Sequence, residues 1–199
     1  MNRYQHAVKR LFDILLALPG IALLWPLALG IALCIKAGSR GPVFFVQQRV
    51  GRGGKLFWCC KFRTMSRDAQ EGGTVTTARD ARITPVGRVL RRTKLDELPQ
   101  LWNVLIGEMS FVGPRPDVPG YADRLQGEDR EILELRPGIT GPATLHFRNE
   151  EELLAGVPDP RVYNDCVIWP RKVALNREYL RRWSLRRDIG YLFSTVVGK

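Results

Sequence analysis

The stretch Ile14–Ile35, "ILLALPGIALLWPLALGIALCI", runs for 22 residues without a charge. At about 1.5 Å per residue a continuous helix of that length reaches roughly 33 Å, enough to cross a bilayer core. A secretory signal needs a shorter apolar core and a small-residue cleavage site, and neither is clear here. A lipoprotein signal at Cys34 fails because Leu33, not a small residue, precedes it. The segment therefore spans a membrane or leaves by the leaflet it entered.

Two features argue against a straight span. Pro26 has no N–H for the carbonyl of Ala22, and its ring crowds that turn; Pro19 and Gly20 weaken the helix a second time. Arg3, Lys9 and Arg10 lie before the segment, and Lys36 and Arg40 follow it. Positive charge belongs on the cytoplasmic side, and both flanks qualify. A re-entrant helix broken at Pro26 satisfies both flanks, while a kinked spanning helix satisfies the length. Physics alone leaves both standing.

Outward from this segment, 199 residues suggest one domain, or one domain with an appendage; the division expected is a membrane helix and its flanks over 1–40, then a small, mixed α/β, irregular cytosolic domain over 41–199. With 45% hydrophobic residues the chain builds a core and does not read as disordered. Its formal net charge of +11 calls for an anionic partner: phosphate groups, lipid headgroups or nucleic acid. Cys34, Cys59, Cys60 and Cys166 show no CxxC spacing and are joined only by His6 and His146, so the pattern is not that of a zinc site. Adjacent Cys59 and Cys60 point to opposite faces of a strand and read as reduced packing residues in a reducing compartment.

"VFFVQQRV" (43–50) and "KLFWCCKFRTM" (55–65) read as strands joined by the turn-rich "GRGG". Alternation in the second puts Leu56, Trp58, Cys60 and Phe62 on one face, and Lys61 and Arg63 on the other. The polar, Gly-containing stretch 66–82 reads as a mobile loop. Thr84-Pro85 is an N-cap and first-turn pair for a short basic helix reaching Arg91-Arg92. A second helix is expected from near Asp96 to Gly107, then a short strand "MSFVG", a helix near "ADRLQGEDREILEL", a tight turn "RPGITG" and a helix capped by Asn149. The C-terminal third is helical and very basic, with Tyr179, Trp183, Ile189 and Phe193 among its arginines.

The chemistry concentrates at Thr93–Pro116, "TKLDELPQLWNVLIGEMSFVGPRP", where Asp96 and Glu97 stand together in a basic chain. An isolated acidic pair at a helix start is ordinarily structural, because free N–H groups and the dipole stabilise an anion there. The same geometry favours a bound phosphate. A carboxylate beside a phosphate is repelled unless a cation lies between them. With Mg²⁺ or arginines present, an ionised Asp can attack phosphorus as a nucleophile. Lys61, Arg63, Arg91, Arg115 and Arg148 supply cations, several beside the rigid turns "GPRP" and "RPGITG".

These residues resemble the monotopic phosphoglycosyl transferases, bacterial sugar transferases that start lipid-linked glycan synthesis. The resemblance runs from Arg10 to the C-terminal helix. It rests on "KRLFDI", the mid-membrane Pro26, "KFRTM", "LDELPQLWNVLIGEMSFVGPRP" and "RPGITG", in that order. It implies a re-entrant helix on the cytoplasmic leaflet of the bacterial inner membrane, Mg²⁺ dependence with Asp96 and Glu97 at the metal, and a UDP-sugar donor. The implied acceptor is a polyprenyl phosphate such as undecaprenyl phosphate. Asp96 matches the family's nucleophile and Glu97 its dyad partner, while Lys61, Arg63, Arg91, Arg115 and Arg148 match its phosphate-binding cations. Trp25 where Ser is frequent, "PATLHFRN" after "RPGITG", and Asn176 where Asp is common depart from the pattern and bear on sugar specificity. A homodimer is left open. A basic nucleic-acid binder on a membrane is the alternative, against which stands the want of any recognised nucleic-acid motif; a non-catalytic scaffold on anionic lipid is another.

Overall fold

A computed structural model describes residues 1–66 and 82–198. The polar stretch 66–82 read as a loop lies, apart from Ser66 and Arg82, outside the described residues.

Helix α1 covers Arg3–Gly38, 36 residues, with Pro19 and Pro26 inside it. Asn2 and Gln5 form a capping box at its start. The expected break at Pro26 does not end the helix. A proline removes one N–H, and in a long helix the turns on either side hold the run together while the axis can bend. Leu11, Leu15, Leu18, Leu23, Trp25, Leu27, Leu29 and Leu33 are exposed along it. Its other side packs onto the rest of the chain from end to end. Near the N-terminus, Lys9 donates to Asp188 at 2.6 Å, Arg10 donates to the carbonyls of Val104 and Leu105, and Asp13 accepts from Ser110 and the Phe111 N–H. Towards the C-terminus, Ile31 and Ile35 share a core with Phe62 and Leu90.

Strands β1 (Phe44–Val50) and β2 (Leu56–Phe62) form an antiparallel hairpin about the Arg52–Gly54 turn, as read from sequence, with Phe44 opposite Phe62 and Val50 opposite Leu56. The face shared by Leu56, Trp58, Cys60 and Phe62 is not the one turned to the core along its length: Phe57 and Cys59 are buried, whereas Leu56 and Trp58 are exposed. Both faces of this strand carry apolar residues, so alternation could not tell core from surface. Phe62 stays buried because it meets Ile31 and Ile35 of α1.

Helix α2 (Pro85–Thr93) starts as expected, with Thr84 accepting from the Gly87 N–H. Gly87 sits so close to β2's exit that a Cβ there would lie 2.0 Å from the Thr64 carbonyl oxygen. Lys94, at φ 58°, turns the chain into a 3₁₀ turn, Leu95–Glu97, that runs through Leu98 and Pro99 into α3 (Gln100–Ile106). The acidic pair thus lies in the 3₁₀ turn ahead of α3, a boundary difference of a few residues. Gly107 ends α3, as expected.

The sequence reads Gly138–Thr140 as a turn. It is strand β4, pairing parallel with β3 (Ser110–Val112). Glycine makes the pairing feasible: a Cβ on Gly138 would lie 2.1 Å from the Gly113 nitrogen. The helix expected near Ala122–Leu135 is two 3₁₀ segments, Ala122–Arg124 and Gly127–Glu134. Short helices α4 (Pro142–His146), α5 (Glu150–Ala155, with Asn149 at its start) and α6 (Pro160–Tyr163) follow. A π-turn, Asn164–Ile168, leads into α7 (Trp169–Arg181), and α8 (Leu185–Val197) closes the fold. Tyr179 and Trp183 donate to the buried Asp188, which also holds Lys9 of α1.

Candidate active site

The αL residue Lys94 and the 3₁₀ turn aim Asp96 and Glu97 towards β2 and the loop after β3. Both carboxylates are buried, at 8% and 9% exposure. Burial without compensation would be costly for two adjacent anions. Glu97 is compensated: its Oε1 accepts from Lys61 Nζ at 2.8 Å and from Arg115 Nη2 at 2.9 Å. Burial pushes its pKa up, but Arg115 and then Lys61 outweigh it and bring the carboxyl down to about 2. Glu97 is a fixed anion.

Asp96 is treated differently. Its Oδ1 is buried and has no hydrogen-bond partner. Burial and the charge of Glu97 raise its pKa, against the pull of Lys61, Lys94 and Arg91. One carboxylate is tied down between cations, and its neighbour is left short of partners. A buried oxygen that the protein leaves unsatisfied is uncommon and marks the position as strained or functional.

Of the expected cations, Lys61 and Arg115 touch Glu97 directly. Arg91 donates through Nε to Thr64 Oγ1 at 2.9 Å and lies within electrostatic reach of Asp96. Arg63 is buried and reaches the other way: its guanidinium donates to the carbonyls of Ser39 and Arg40 and to Ser39 Oγ, fastening the end of α1. Arg148 is exposed and donates to the Ser194 carbonyl in α8 at 3.2 Å.

Sequence reasoning missed three neighbours. Arg49, from β1, donates to the Pro116 carbonyl beside Arg115. Asp117 lies among Lys172, Arg49, Arg115 and Glu150, and burial raises its pKa to about 6. Asn103 accepts from the Cys60 N–H and donates to the Trp58 carbonyl and to Glu108, locking α3 to β2. Only the acid directly after "GPRP" offered a sequence signal. The other two matter through pairings across the fold.

No group of three or more His, Cys, Asp or Glu able to enclose a metal occurs among the described residues. The donor set that is present fits Mg²⁺ in another way. This ion is commonly held by one or two carboxylates, with substrate phosphates and water filling its octahedron. Asp96 with its unpartnered oxygen, beside Glu97, supplies such a pair.

Over residues 4–198 the sequence matches the bacterial sugar transferase family. The chain belongs to that family. Among curated relatives of this sugar transferase, it is 39% identical over 202 residues to the UDP-glucose:undecaprenyl-phosphate glucose-1-phosphate transferase of Xanthomonas campestris pv. campestris, covering 98% of this chain and 39% of the relative. It is 38% identical over 196 residues to the UDP-N-acetylgalactosamine-undecaprenyl-phosphate N-acetylgalactosaminephosphotransferase of Aeromonas hydrophila, covering 95% of this chain and 43% of the relative. The chain thus spans about two fifths of the length of these two. A relative nearer in length is the exopolysaccharide production protein ExoY of Rhizobium meliloti (strain 1021), 36% identical over 204 residues, covering 94% of this chain and 83% of the relative.

Proposed function

We propose that this sugar transferase moves a phosphosugar from a UDP-sugar to a polyprenyl phosphate such as undecaprenyl phosphate, through a covalent intermediate on Asp96, with release of UMP. The observation that carries this reading is the asymmetry of the dyad: Glu97 is pinned by Lys61 and Arg115, while the buried Asp96 Oδ1 lacks a partner. Two relatives whose names state a UDP-sugar and undecaprenyl phosphate support the substrate classes. Those names carry different sugars, so the family match alone does not select one.

In the first step an Asp96 carboxylate oxygen attacks the sugar-proximal phosphorus. A new aspartyl O–P bond forms, the bridging O–P bond of the diphosphate breaks, and UMP leaves with the electron pair. In the second step an oxygen of the polyprenyl phosphate attacks the same phosphorus. The aspartyl bond breaks, a polyprenyl diphosphate sugar departs, and the Asp96 carboxylate is restored. Lys61 and Arg115, oriented by Glu97, and Arg91 offset the charge that builds on the phosphoryl oxygens, the main catalytic device in such transfers. Arg63 and Arg148 belong to the same expected set, with their main-chain bonds fixing where they stand. Mg²⁺ held by Asp96 and Glu97 would neutralise part of the diphosphate charge when bound.

The proposal places the protein on the cytoplasmic face of the bacterial inner membrane as a monotopic enzyme, with the change of direction in α1 at Pro26. Support comes from α1 itself, whose two ends pack on one body and whose leucine face is exposed. The test is purified protein in nanodiscs with undecaprenyl phosphate, Mg²⁺ and a panel of UDP-sugars, read by UMP release. With one donor alone, the peptide containing Asp96 should gain the mass of a phosphosugar. A protein that releases no UMP from any donor, and gains no mass, would overturn the reading.

A further inference from the structure

The turn that presents Arg115, Gly113-Pro114-Arg115-Pro116-Asp117, is held at both ends by the main chain. On one side the Gly113 N–H donates to the Thr140 carbonyl at 2.8 Å, and the Gly138 N–H donates to the Pro114 carbonyl at 2.7 Å, both on or beside β4. On the other side the Val50 N–H of β1 donates to the Asp117 carbonyl at 2.9 Å. One further bond is made by a side chain: Arg49 Nη1 donates to the Pro116 carbonyl at 3.1 Å, while its Nη2 donates to Gln47 Oε1 at 2.7 Å. Both ends of the Arg49 fork thus rest on neutral oxygens. Beyond the turn, Arg115 holds Glu97 at 2.9 Å.

We infer that Arg49 is a positioning residue for the reaction, acting through Arg115 by fixing the Pro116 carbonyl and so the direction in which the Arg115 side chain leaves the turn. The inference rests on the function proposed above. The geometry separates Arg49 from Lys61 and Arg115, since its guanidinium spends its two terminal nitrogens on a backbone carbonyl and a side-chain amide. The planar fork sets its two terminal nitrogens at a fixed spacing, one on Pro116 O and one on Gln47 Oε1, a geometry that a lysine ammonium does not reproduce. Of the groups facing Arg49, Asp117 and Glu97 are the carboxylates and Arg115 is a second cation, while burial pushes the Cys59 thiol up and keeps it neutral.

The test is a double-mutant cycle in nanodiscs, using the UDP-sugar that wild type turns over, with UDP binding by calorimetry as a readout independent of turnover. Arg49→Met should lower kcat/KM by about 10-fold or more, the size of one lost charge-assisted bond. In an Arg115→Lys background, the same change should cost less than about twofold, because the residue it positions is already gone. Arg49→Lys should fall between wild type and Arg49→Met. Losses that multiply in the double variant, or Arg49→Met at wild-type activity, would overturn the inference. So would Arg49→Lys at full activity, which would assign the effect to charge and not to the fork. If Arg49→Met fails to fold by circular dichroism, the cycle is run with Arg49→Lys, where a loss that persists undiminished beside Arg115→Lys likewise refutes it. A wild type that neither releases UMP nor binds UDP would indicate failure of the proposed function; binding and turnover in wild type with an additive cycle would indicate failure of this inference alone.

Discussion

Asp96→Asn keeps the size of the side chain but removes the anionic oxygen, so it should abolish UMP release and the mass gain while leaving the fold and membrane attachment intact. Turnover near wild type would remove Asp96 from the nucleophile's place. Asp117 offers a second test, through pH. Its folded pKa is raised to about 6 from 3.8, so between those values the folded state holds a proton that the unfolded chain has released. Stability from this group is present at low pH and lost as pH rises through about 6, by about 3 kcal/mol. The groups facing it are Lys172, Arg49, Arg115 and Glu150, three cations and one anion. Asp117→Asn should therefore raise the unfolding midpoint at pH 7.5 and flatten its slope between pH 4 and 6. An unchanged slope would mean that burial does not penalise this carboxylate. Asp96, Glu97 and Arg115 were legible because they fall within twenty-odd residues and beside rigid turns. Arg49 was not, and Asp117 only through its place after "GPRP", since their importance comes from a hairpin end meeting a distant turn. Arg63 and Arg148 were legible as cations but not as donors to Ser39, Arg40 and Ser194, contacts that no local pattern encodes.

At the scale of elements, turn chemistry carried the reading well and face assignment did not. Thr84-Pro85 and Gly107 marked helix ends that the fold keeps, because caps depend on a few neighbouring residues. The hairpin β1–β2 was legible as two strands, yet its inward face was not, since Leu56 and Trp58 are as apolar as the buried Phe57 and Cys59. Strand β4 was hidden for the opposite reason: glycine and proline suggest a turn until a partner strand 28 residues earlier is known. Gly87 tests how tightly these elements are set. A methyl there would meet the Thr64 backbone at 2.0 Å, and neither α2 nor the end of β2 can yield cheaply. Gly87→Ala should cost about 1–3 kcal/mol as overpacking. For a chain of this size that is a fall of roughly 2–4 °C in Tm per kcal/mol. Because Arg91 on α2 also binds Thr64, activity should fall with it. A variant with wild-type Tm would show that α2 can slide away from β2.

For the whole molecule the decisive fact is that α1, long enough to cross a bilayer, leans on one body at both ends. Asp13 and Ile31 are 18 residues apart, about 27 Å along a helix, close to the roughly 30 Å of a hydrocarbon core. A spanning α1 would need Lys9, Arg10 and Asp13 to lose their partners in α8, α3 and β3, because Ile31 and Ile35 are held against Phe62 and Leu90 of the same body. With native Cys34, Cys59, Cys60 and Cys166 replaced, single cysteines at Asn2 and Gly198 should both resist a membrane-impermeant maleimide in intact cells and react after lysis. An Asn2 label that reacts from outside, with Gly198 protected, would establish a span. Pro26→Leu asks what holds the ends together. It restores one helical hydrogen bond and relieves a ring clash, a straightening worth up to about 3 kcal/mol. Opposing it are the bonds of Lys9 to Asp188, of Arg10 to two carbonyls and of Asp13 to Ser110 and Phe111. Each charge-assisted bond is worth roughly 1.5–3 kcal/mol, so together they outweigh the gain. Pro26→Leu alone should leave Asn2 protected. Combined with Asp188→Asn, which strips Lys9 of its buried partner, it should expose a measurable fraction of Asn2 to the reagent. If Pro26→Leu by itself exposes Asn2, the proline governs topology and the anchoring bonds are secondary.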